Sequence, residues 1–510
     1  MAASTRQRFD VVIIGSGAGG GTVAHALAGS GASILIVERG DFVPQEEENW
    51  SPRAVWEERR YQTRERWVDE RGRTIPPYTH YSVGGNTKFW GSVLIRLRRE
   101  DFEELEHVDG ISPAWPIDYA TLEPYYDRAE CLFQVRGEHG IDPTEPPRRP
   151  FPHPAVAHEP RMADVVERLR QQGLHPSPLP LGLLNVGQPE GCVRCRTCNS
   201  FPCKMHAKSD ADVCCIRPLL RQPNVTLWTH AYANRLITCG AGRTVQAVEI
   251  DRNGERIRVE AGLVVASCGA VNSAALLLRS ASDAHPNGLG NSSGLVGTRY
   301  MAHLATMIEA IDPFRENDVT FQKTVAINDY YLRGPRSRYP LGQIQSQGRT
   351  HGLMAKLHAP WWGRWIPIQA YDWWVARGFD WLMMSEDLPH EENRVTLDGT
   401  GRIVLRYTQS NVRAHLELVR EMKAILARLG LRLPVTHSLG TSNTTHQCGT
   451  AVFGHDPRTS VLDTFCRSHD VSNLFVVDAS FFPSSAAVNP GLTIVAQALR
   501  VADHIRETEL

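Results

Sequence analysis

Short apolar runs alternate with glycine-rich breaks at the start of the chain. Residues 9–14 form an apolar run rich in β-branched side chains, the composition of a strand buried on both faces. Residues 22–28 then have helical spacing and stop before Gly29 and Gly31, and residues 33–37 form a second apolar run. This order of strand, helix and strand predicts the start of a parallel α/β sheet.

The break after the first run contains the pattern G-x-G-x-x-G, formed by Gly15, Gly17 and Gly20. Gly15 permits a tight turn, Gly17 lets backbone N–H groups approach a pyrophosphate, and Gly20 lets the helix pack closely on the strand. Glu38 follows the second run, where its carboxylate can accept hydrogen bonds from an adenosine ribose and disfavours a 2′-phosphate. We therefore predict a dinucleotide site; a purely structural glycine turn is the alternative.

A second group of motifs lies near the carboxyl end of the sequence. His446 belongs to the segment Thr-His-Gln-Cys-Gly-Thr, and Asp478 follows a predicted strand at 474–477, at the position where open parallel sheets bind ligands. Asn489 precedes Pro490, and residues 492–505 have helical spacing. We predict a helix that Asn489 caps and Pro490 begins.

Together these motifs resemble the glucose–methanol–choline (GMC) oxidoreductases, most closely the pyranose oxidase-like sugar oxidoreductases and glycoside 3-oxidases. The resemblance spans nearly the whole chain and includes residues 84–91, 115–126 and 263–269. It implies an α/β fold in which a Rossmann-like FAD-binding domain is assembled from non-contiguous segments. It also implies a second, α+β substrate domain with an antiparallel sheet.

We assign the sequence to these domains as follows. The FAD-binding domain takes residues 1–110, 190–310 and 436–510, a connecting arm takes 111–189, and the substrate-binding domain takes 311–435. Strand-like stretches at 394–397 and 403–407, on either side of a Gly-Thr-Gly turn, suggest the antiparallel sheet of the substrate domain.

The resemblance also implies site residues, with FAD as the cofactor. The positions implied to bind it are Gly15, Gly17, Gly20 and Glu38 at the ADP half, Ala233 beside the adenine, Asn86, Trp90 and Gly91 near the isoalloxazine, and Asp478 and Asn489 beside the flavin. Pyranose oxidases with a covalent flavin carry histidine before the tryptophan of this loop, where this chain has Phe89. Since phenylalanine cannot form that bond, we expect non-covalent FAD with a lower potential.

The resemblance makes His446 and Asn489 the catalytic pair. A neutral imidazole can take the proton of a substrate hydroxyl, whereas an amide can hold the same oxygen but cannot accept the proton. We predict oxidation of a secondary ring hydroxyl of a pyranose sugar or glycoside, at C3 rather than C2, with hydride transfer to the flavin and electrons passed to O2 to give H2O2.

Other functions stay open at this stage. One is a dehydrogenase that passes electrons to a quinone or another carrier, and a second is a flavin-containing lyase. A non-catalytic flavin-binding module is disfavoured, because such a module needs neither His446 nor Asn489. Aryl alcohols, sterols and choline are alternative substrates, since the sequence of the middle domain does not specify a pocket.

Charge and hydropathy exclude some partners. Fifty-five basic and fifty-six acidic residues leave a net charge of -1, so no overall charge favours nucleic acid or anionic lipid. No apolar run is long enough for an integral membrane segment or a signal peptide. We therefore expect a cytoplasmic enzyme of a small neutral or weakly charged molecule, and the oligomeric state stays open.

Two clusters of unusual composition remain. Six of the eleven cysteines lie between Cys192 and Cys215, and four of them have the spacing C-x2-C-x2-C-x4-C, whose last gap differs from that of a ferredoxin. Zinc is conceivable, but we expect no metal, and thiols or a disulfide that shape a loop. Six of the twelve tryptophans lie between Trp361 and Trp381. They can stack on sugar rings, pack in an aromatic subcore, or form an amphipathic patch.

Overall fold

The computed structural model describes residues 7–510, which form helices and strands along the whole of that range. Residues 1–6, the start of the predicted segment 1–110, lie outside it. The helices are α1 Ala18–Leu27, α2 Tyr119–Leu132, α3 Pro160–Arg170, α4 Arg217–Leu219, α5 Ala270–Arg279, α6 Gly352–His358, α7 Ile368–Val375, α8 Val412–Arg428 and α9 Gly491–Thr508. In the described range, none of them is both long enough and apolar enough to cross a membrane.

The strands are short on average and are divided among several sheets. They are β1 Gln7–Ile14, β2 Ile34–Val37, β3 Trp67–Val68, β4 Thr74–Ile75, β5 Leu105–His107, β6 Gly110–Ser112, β7 Val135–Gly137, β8 His153–Pro154, β9 Ser177–Pro178, β10 Leu181–Gly182, β11 Val225–Trp228, β12 Ala231–Thr238, β13 Val245–Arg252, β14 Glu255–Ala266, β15 Met301–Ala302, β16 Leu304–Ile311, β17 Val325–Ile327, β18 Gln343–Ser346, β19 Gly378–Ser385, β20 Arg394–Leu397, β21 Ile403–Arg406, β22 Arg432–Ser438, β23 Gln447–Cys448 and β24 Leu474–Val476.

A seven-stranded sheet contains the amino-terminal strands. Its order is β11-β2-β1-β14-β13-β12, and β24 pairs with the end of β14. The strands β11, β2, β1, β14 and β24 are parallel, and Ile14 lies opposite both Val37 and Ala266, which in turn lies opposite Val476. The ends of the central strands are fully buried, at 11–14, 34–37, 263–266 and 474–476, as expected where helices cover both faces of a parallel sheet. These strands therefore end at one common edge.

The last helix begins differently from the sequence-based prediction. Pro490, not Asn489, occupies the cap position of α9; its φ and ψ of -76° and -12° are already helical, and its carbonyl accepts a hydrogen bond from the Ile494 N–H at 3.1 Å. The Asn489 Oδ1 has no hydrogen-bond partner within residues 7–510, so this side chain makes no capping bond. The prediction of an Asn489 cap was wrong, and the reason is that the helical turn starts one residue later, which leaves this amide available for other contacts.

A six-stranded antiparallel sheet of order β22-β16-β19-β18-β17-β9 forms the second main layer. Successive residues of a strand point to opposite faces, so Trp381 and Met383 pack with α8 in one hydrophobic cluster, while Leu382 and Met384 face away from it. All eight residues of β19 are buried. This strand therefore lacks the alternation of polar and apolar residues from which a strand can be recognised.

The hairpin β20–β21 pairs antiparallel, in agreement with the prediction for residues 394–397 and 403–407. It does not, however, join the six-stranded sheet. It forms a four-stranded sheet with β3 and β4, and Val395, Ile403 and Leu405 pack in the core of the seven-stranded sheet. The antiparallel sheet of the middle region is instead built from the strands described above.

Candidate active site

A long cavity lies along the edge where the parallel strands end. Three residues that directly follow these strands line it, namely Gly15, Glu38 and Ser267, and so does Asp478, two residues after the end of β24. Ala233 of β12 lines the same cavity, and we call the part bounded by these five residues the cofactor half. His446, Asn489 and one face of the six-stranded sheet bound the remainder, which we call the substrate half.

The glycine loop is shaped by close backbone contacts. Gly15 has a φ of +100°, and a Cβ there would lie 2.2 Å from the Ser267 carbonyl oxygen. A Cβ on Gly20 would lie 2.0 Å from the Gly15 oxygen, so Gly20 packs behind the loop and does not line the cavity. At Gly17, by contrast, the first protein atom is 4.0 Å away. The space over Gly17 is therefore open toward the cavity and available to a ligand.

Two buried carboxylates organise the turns after the strands. The Glu38 carboxylate accepts hydrogen bonds from the Ser16 N–H at 3.1 Å, the Ser16 hydroxyl at 2.6 Å and the Gly40 N–H at 3.0 Å. Asp478 accepts from the Gly269 N–H at 2.9 Å and the Ser273 hydroxyl at 2.5 Å. Burial raises the pKa of both carboxyls, and the hydrogen bonds oppose that effect. Each carboxylate thus ties its own turn to a neighbouring one.

The loop with Asn86, Trp90 and Gly91 closes one wall of the cavity. The Asn86 Oδ1 accepts from the His80 N–H at 2.8 Å, and a Cβ on Gly91 would lie 2.2 Å from the Lys323 Nζ. The buried Trp90 Nε1 has no hydrogen-bond partner within residues 7–510. Phe89 stacks on His80 with ring centroids 3.7 Å apart. An unpartnered indole N–H in a cavity wall is a group that a ligand can satisfy.

His446 and Asn489 meet at the substrate half, with 3.5 Å between the imidazole Nε2 and the amide Nδ2. Behind His446 lies His303, whose Nδ1 is 3.0 Å from the His446 Nδ1 and whose Nε2 is 3.0 Å from the Ser485 carbonyl oxygen. A carbonyl only accepts, so the His303 Nε2 donates to it and its Nδ1 accepts from the His446 Nδ1–H. This series of hydrogen bonds leaves the lone pair of His446 on Nε2, beside Asn489.

Burial keeps this imidazole neutral. Burial, with a smaller contribution from His303, lowers the pKa of His446 to about 3. The pKa of His303 is lowered by burial as well. The unprotonated Nε2 is therefore present at neutral pH, in the form that can accept a proton from a bound hydroxyl.

The structure brings together most residues that the sequence predicted for the site. Nine of them line the one cavity, and Gly20 lies behind it; the nine are Gly15, Gly17, Glu38, Asn86, Trp90, Gly91, Ala233, Asp478 and Asn489. His446 lines it too. Sequence reasoning missed His303, which the short pairing of Met301 with Cys448 and Ala302 with Gln447 places opposite His446. No local motif around His303 gave a signal for it.

The tryptophans and cysteines of the two composition clusters do not line the cavity, although Asn199 and Ser200, between Cys198 and Cys203, do. Trp361, Trp362, Trp365 and Trp373 are exposed, whereas Trp381 is fully buried among the side chains around α8. None of them belongs to the described lining of the cavity. All eleven cysteines are free thiols, and within residues 7–510 no group of three or more His, Cys, Asp or Glu side chains is arranged to hold a metal ion.

The fold and the cavity define a dinucleotide-dependent oxidoreductase. The open space over Gly17, the acceptor carboxylate of Glu38 and the unpartnered Trp90 N–H fit a flavin dinucleotide that lies along the edge of the parallel sheet. Sequence comparison gives the family. Residues 2–305 and 389–498 match the amino- and carboxyl-terminal profiles of GMC oxidoreductase, and the chain belongs to this family, with FAD as its cofactor.

Similar proteins span nearly the same length. The chain is 32% identical to 6‴-hydroxyparomomycin C oxidase of Streptomyces lividus, over 98% of this chain and 92% of that protein. It is 31% identical to paromamine 6′-oxidase of Streptomyces fradiae, over 97% and 90%. Fructose dehydrogenase large subunit of Gluconobacter japonicus is 27% identical, over 97% of each.

Solved structures share the fold. Pyridoxine 4-oxidase from Mesorbium loti superposes with a TM-score of 0.68 at 19% identity, covering 98% of this chain and 100% of that chain. Formate oxidase of Aspergillus oryzae RIB40 superposes with a TM-score of 0.68 at 16% identity, covering 99% of each chain. At these identities the likeness extends to the fold alone.

Proposed function

We propose that this chain is a sugar oxidase that converts a secondary ring hydroxyl of a pyranose or glycoside to a ketone, at C3 in preference to C2. FAD is held without a covalent bond and is reoxidised by O2, which gives H2O2. The observation that carries the proposal is the approach of the His446 Nε2 to the Asn489 amide, with His303 at the other ring nitrogen, in the same cavity that the glycine loop lines.

The two side chains divide the work on the substrate oxygen. The hydroxyl donates its hydrogen to the His446 Nε2 and accepts a hydrogen bond from the Asn489 Nδ2, which holds the oxygen in place. As the proton moves to His446, negative charge builds on the oxygen and the adjacent C–H bond becomes a better hydride donor. When bound, FAD supplies the hydride acceptor. His303 accepts the hydrogen bond from the His446 Nδ1–H throughout the reaction.

Phe89 supports non-covalent binding of FAD. Its ring stacks on His80 and has no nucleophilic atom that could bond to the flavin. We expect acid precipitation of the holoenzyme to leave the yellow flavin in the supernatant. Flavin that stays in the precipitated protein would contradict this part of the proposal.

The whole proposal is tested by spectroscopy followed by product analysis. Methyl β-D-glucopyranoside is added to the anaerobic holoenzyme, and we expect the flavin absorbance to bleach and then return with H2O2 when air is admitted. NMR of the product is expected to show a 3-keto glycoside. No bleaching by any monosaccharide or glycoside would refute sugar oxidation.

Two relatives favour a second regiochemistry. Paromamine 6′-oxidase and 6‴-hydroxyparomomycin C oxidase are named for position 6, the exocyclic hydroxymethyl carbon of a hexopyranose. An aldehyde signal in the same NMR experiment would assign this chain to that reaction in place of C3. The relative named fructose dehydrogenase favours a different electron acceptor. Flavin absorbance that returns with a quinone but not with air would identify a dehydrogenase.

A further inference from the structure

The substrate half has no charged side chain among the described residues that line it. The four acidic and basic residues of the cavity lining are Glu38, Arg39, Arg279 and Asp478. Glu38 and Asp478 belong to the turns of the parallel sheet, and both arginines stack on Tyr232, beside Ala233, at 4.8 and 5.5 Å. All four therefore lie in the cofactor half. An ammonium group on a substrate would find no carboxylate beside His446.

The wall of the substrate half is apolar with a strip of amides. Met307, Leu382 and Met384 cover one part of the sheet face, and Gln345 lies directly opposite Leu382 on the neighbouring strand. Gln345 is 1% exposed, and its Oε1 has no hydrogen-bond partner in the described chain. A buried amide oxygen without a partner is costly, and a ligand hydroxyl that donates to it removes this cost.

A second amide is oriented by a buried lysine. The Lys323 Nζ donates to the Gly91 carbonyl and, at 2.9 Å, to the Asn199 Oδ1. This orientation makes the Asn199 Nδ2 the donor to the Gln347 Oε1, and within residues 7–510 the Gln347 Nε2 makes no hydrogen bond. Gln345 thus offers an acceptor and Gln347 a donor, and a hydroxyl group can satisfy both.

The surroundings of this wall disfavour a cation further. Burial lowers the pKa of Lys323 to about 8, which still leaves it mostly protonated behind the wall at neutral pH. Glu309 and Asp380 pair one step further along the same sheet face but do not line the cavity. Burial raises the pKa of both, and the Asp380 carboxylate already accepts hydrogen bonds from Thr350 and Gln322.

We propose that the substrate half selects an uncharged polyhydroxy ring, read by Gln345 and Gln347, and rejects the ammonium-bearing rings found in paromamine-type substrates. This inference rests on the proposed function, because it concerns the same site. It separates this chain from the two Streptomyces oxidases that it resembles. Specificity arises because an ammonium group would lose its water and gain no counter-charge.

The test compares two substrates that differ at one group. Flavin reduction by the holoenzyme is followed at pH 6.0 with methyl β-D-glucopyranoside and with methyl 2-amino-2-deoxy-β-D-glucopyranoside, whose amine is protonated. We expect kcat/KM to be at least about tenfold higher for the neutral glycoside. Equal rates, or faster reduction by the amino sugar, would overturn the inference. Failure of both sugars to reduce the flavin would instead refute the proposed function.

Variants at Gln345 test the assigned residue. Gln345→Glu keeps the length of the side chain and adds a carboxylate, and we expect it to shift the ratio of the two kcat/KM values toward the amino sugar by about tenfold or more. Gln345→Met removes the acceptor and is expected to lower kcat/KM for the neutral glycoside about tenfold. The matched control is Gln369→Glu, which places the same charge on the exposed side of α7 and leaves the ratio unchanged.

A general loss of folding would not change the ratio of the two kcat/KM values. General damage lowers both rates together, whereas the ratio of the two kcat/KM values changes only if residue 345 contacts the differing part of the substrate. FAD absorbance and the melting temperature report on folding in parallel. An unchanged ratio in Gln345→Glu, in a variant that retains FAD, would refute the role of Gln345.

Discussion

The two halves of the cavity are built from different parts of the backbone. The cofactor half is made by turns that follow parallel strands, and its carboxylates are engaged with backbone N–H groups and serine hydroxyls. The substrate half is made largely by side chains on the face of an antiparallel sheet, where the Gln345 Oε1, like the Oδ1 of nearby Asn489, has no partner in the described chain.

This difference separates binding of the cofactor from selection of the substrate. Turns held by hydrogen-bonded carboxylates present fixed groups to the cofactor, which is the same in every turnover. Side chains on a sheet face can be exchanged one at a time without a change in the backbone. Substitutions in the two halves should therefore affect different measurements, and the following variants test that separation.

The largest effect is expected for His446→Ala. The variant loses the base but keeps the cofactor half, so kcat/KM should fall by roughly 10²–10⁴-fold while FAD stays bound. Stopped-flow flavin reduction measures the rate and the absorbance ratio of flavin to protein measures occupancy. The exposed His139→Ala is the control. Loss of FAD together with activity would show that the two halves are not separable.

A second effect is expected in the cofactor half. Gly17→Ala adds a methyl group where the first protein atom is 4.0 Å away and φ is -73°, so the apoprotein should fold normally. The methyl group occupies space that we assign to the cofactor, and the Kd for FAD should rise by about 10- to 100-fold, which is roughly 1.4–2.8 kcal/mol. Titration of apoprotein with FAD measures this, with Gly29→Ala, on open surface, as the control. Unchanged affinity would place the phosphates elsewhere.

His303→Leu should give a smaller loss, of about tenfold in kcat. Without its acceptor, the His446 Nδ1–H is unpaired and the tautomer with the lone pair on Nε2 is no longer favoured. Removal of His303 also removes a group that lowers the pKa of His446, so the acid limb of the pH profile should move upward. His303→Gln retains an acceptor oxygen and should recover part of the rate. A drop in rate without a shift of the limb would indicate a purely structural role.

The smallest effect concerns pH in the wild-type enzyme. The pKa of His446 is lowered to about 3, so its neutral, active form is present above that value and is lost as the pH falls toward it. We expect kcat/KM to vary less than about twofold between pH 5 and 8 and to fall only below about pH 4. A limb near pH 6.5, the ordinary pKa of histidine, would show that the imidazole is more solvated than this structure has it.

The cofactor half was largely predictable because its signals are local. Gly15, Glu38 and Asp478 each directly follow an apolar run, and Gly17 belongs to the glycine pattern that begins at Gly15. In the substrate half only His446 and Asn489 were predicted, because its other contacts join distant segments: His303 and His446 are 143 residues apart, and Gln345 belongs to a strand of only four residues that are all buried. The boundaries of the domain at 311–435 remain a prediction, as do the catalytic roles.

In the six-stranded sheet, alternate residues of one strand serve two different purposes, core packing and lining of the cavity. Along β19, Trp381 and Met383 pack against the core around α8, and Leu382 and Met384 border the cavity. Codon randomisation confined to 382 and 384 would therefore vary the pocket and spare the fold, whereas the same diversity at 381 and 383 would yield mostly insoluble clones. New substrates can thus be accommodated by substitutions at every second position of a few strands. An insertion of one residue in such a strand would instead turn the core-facing side chains toward the cavity and the cavity-facing side chains toward the core.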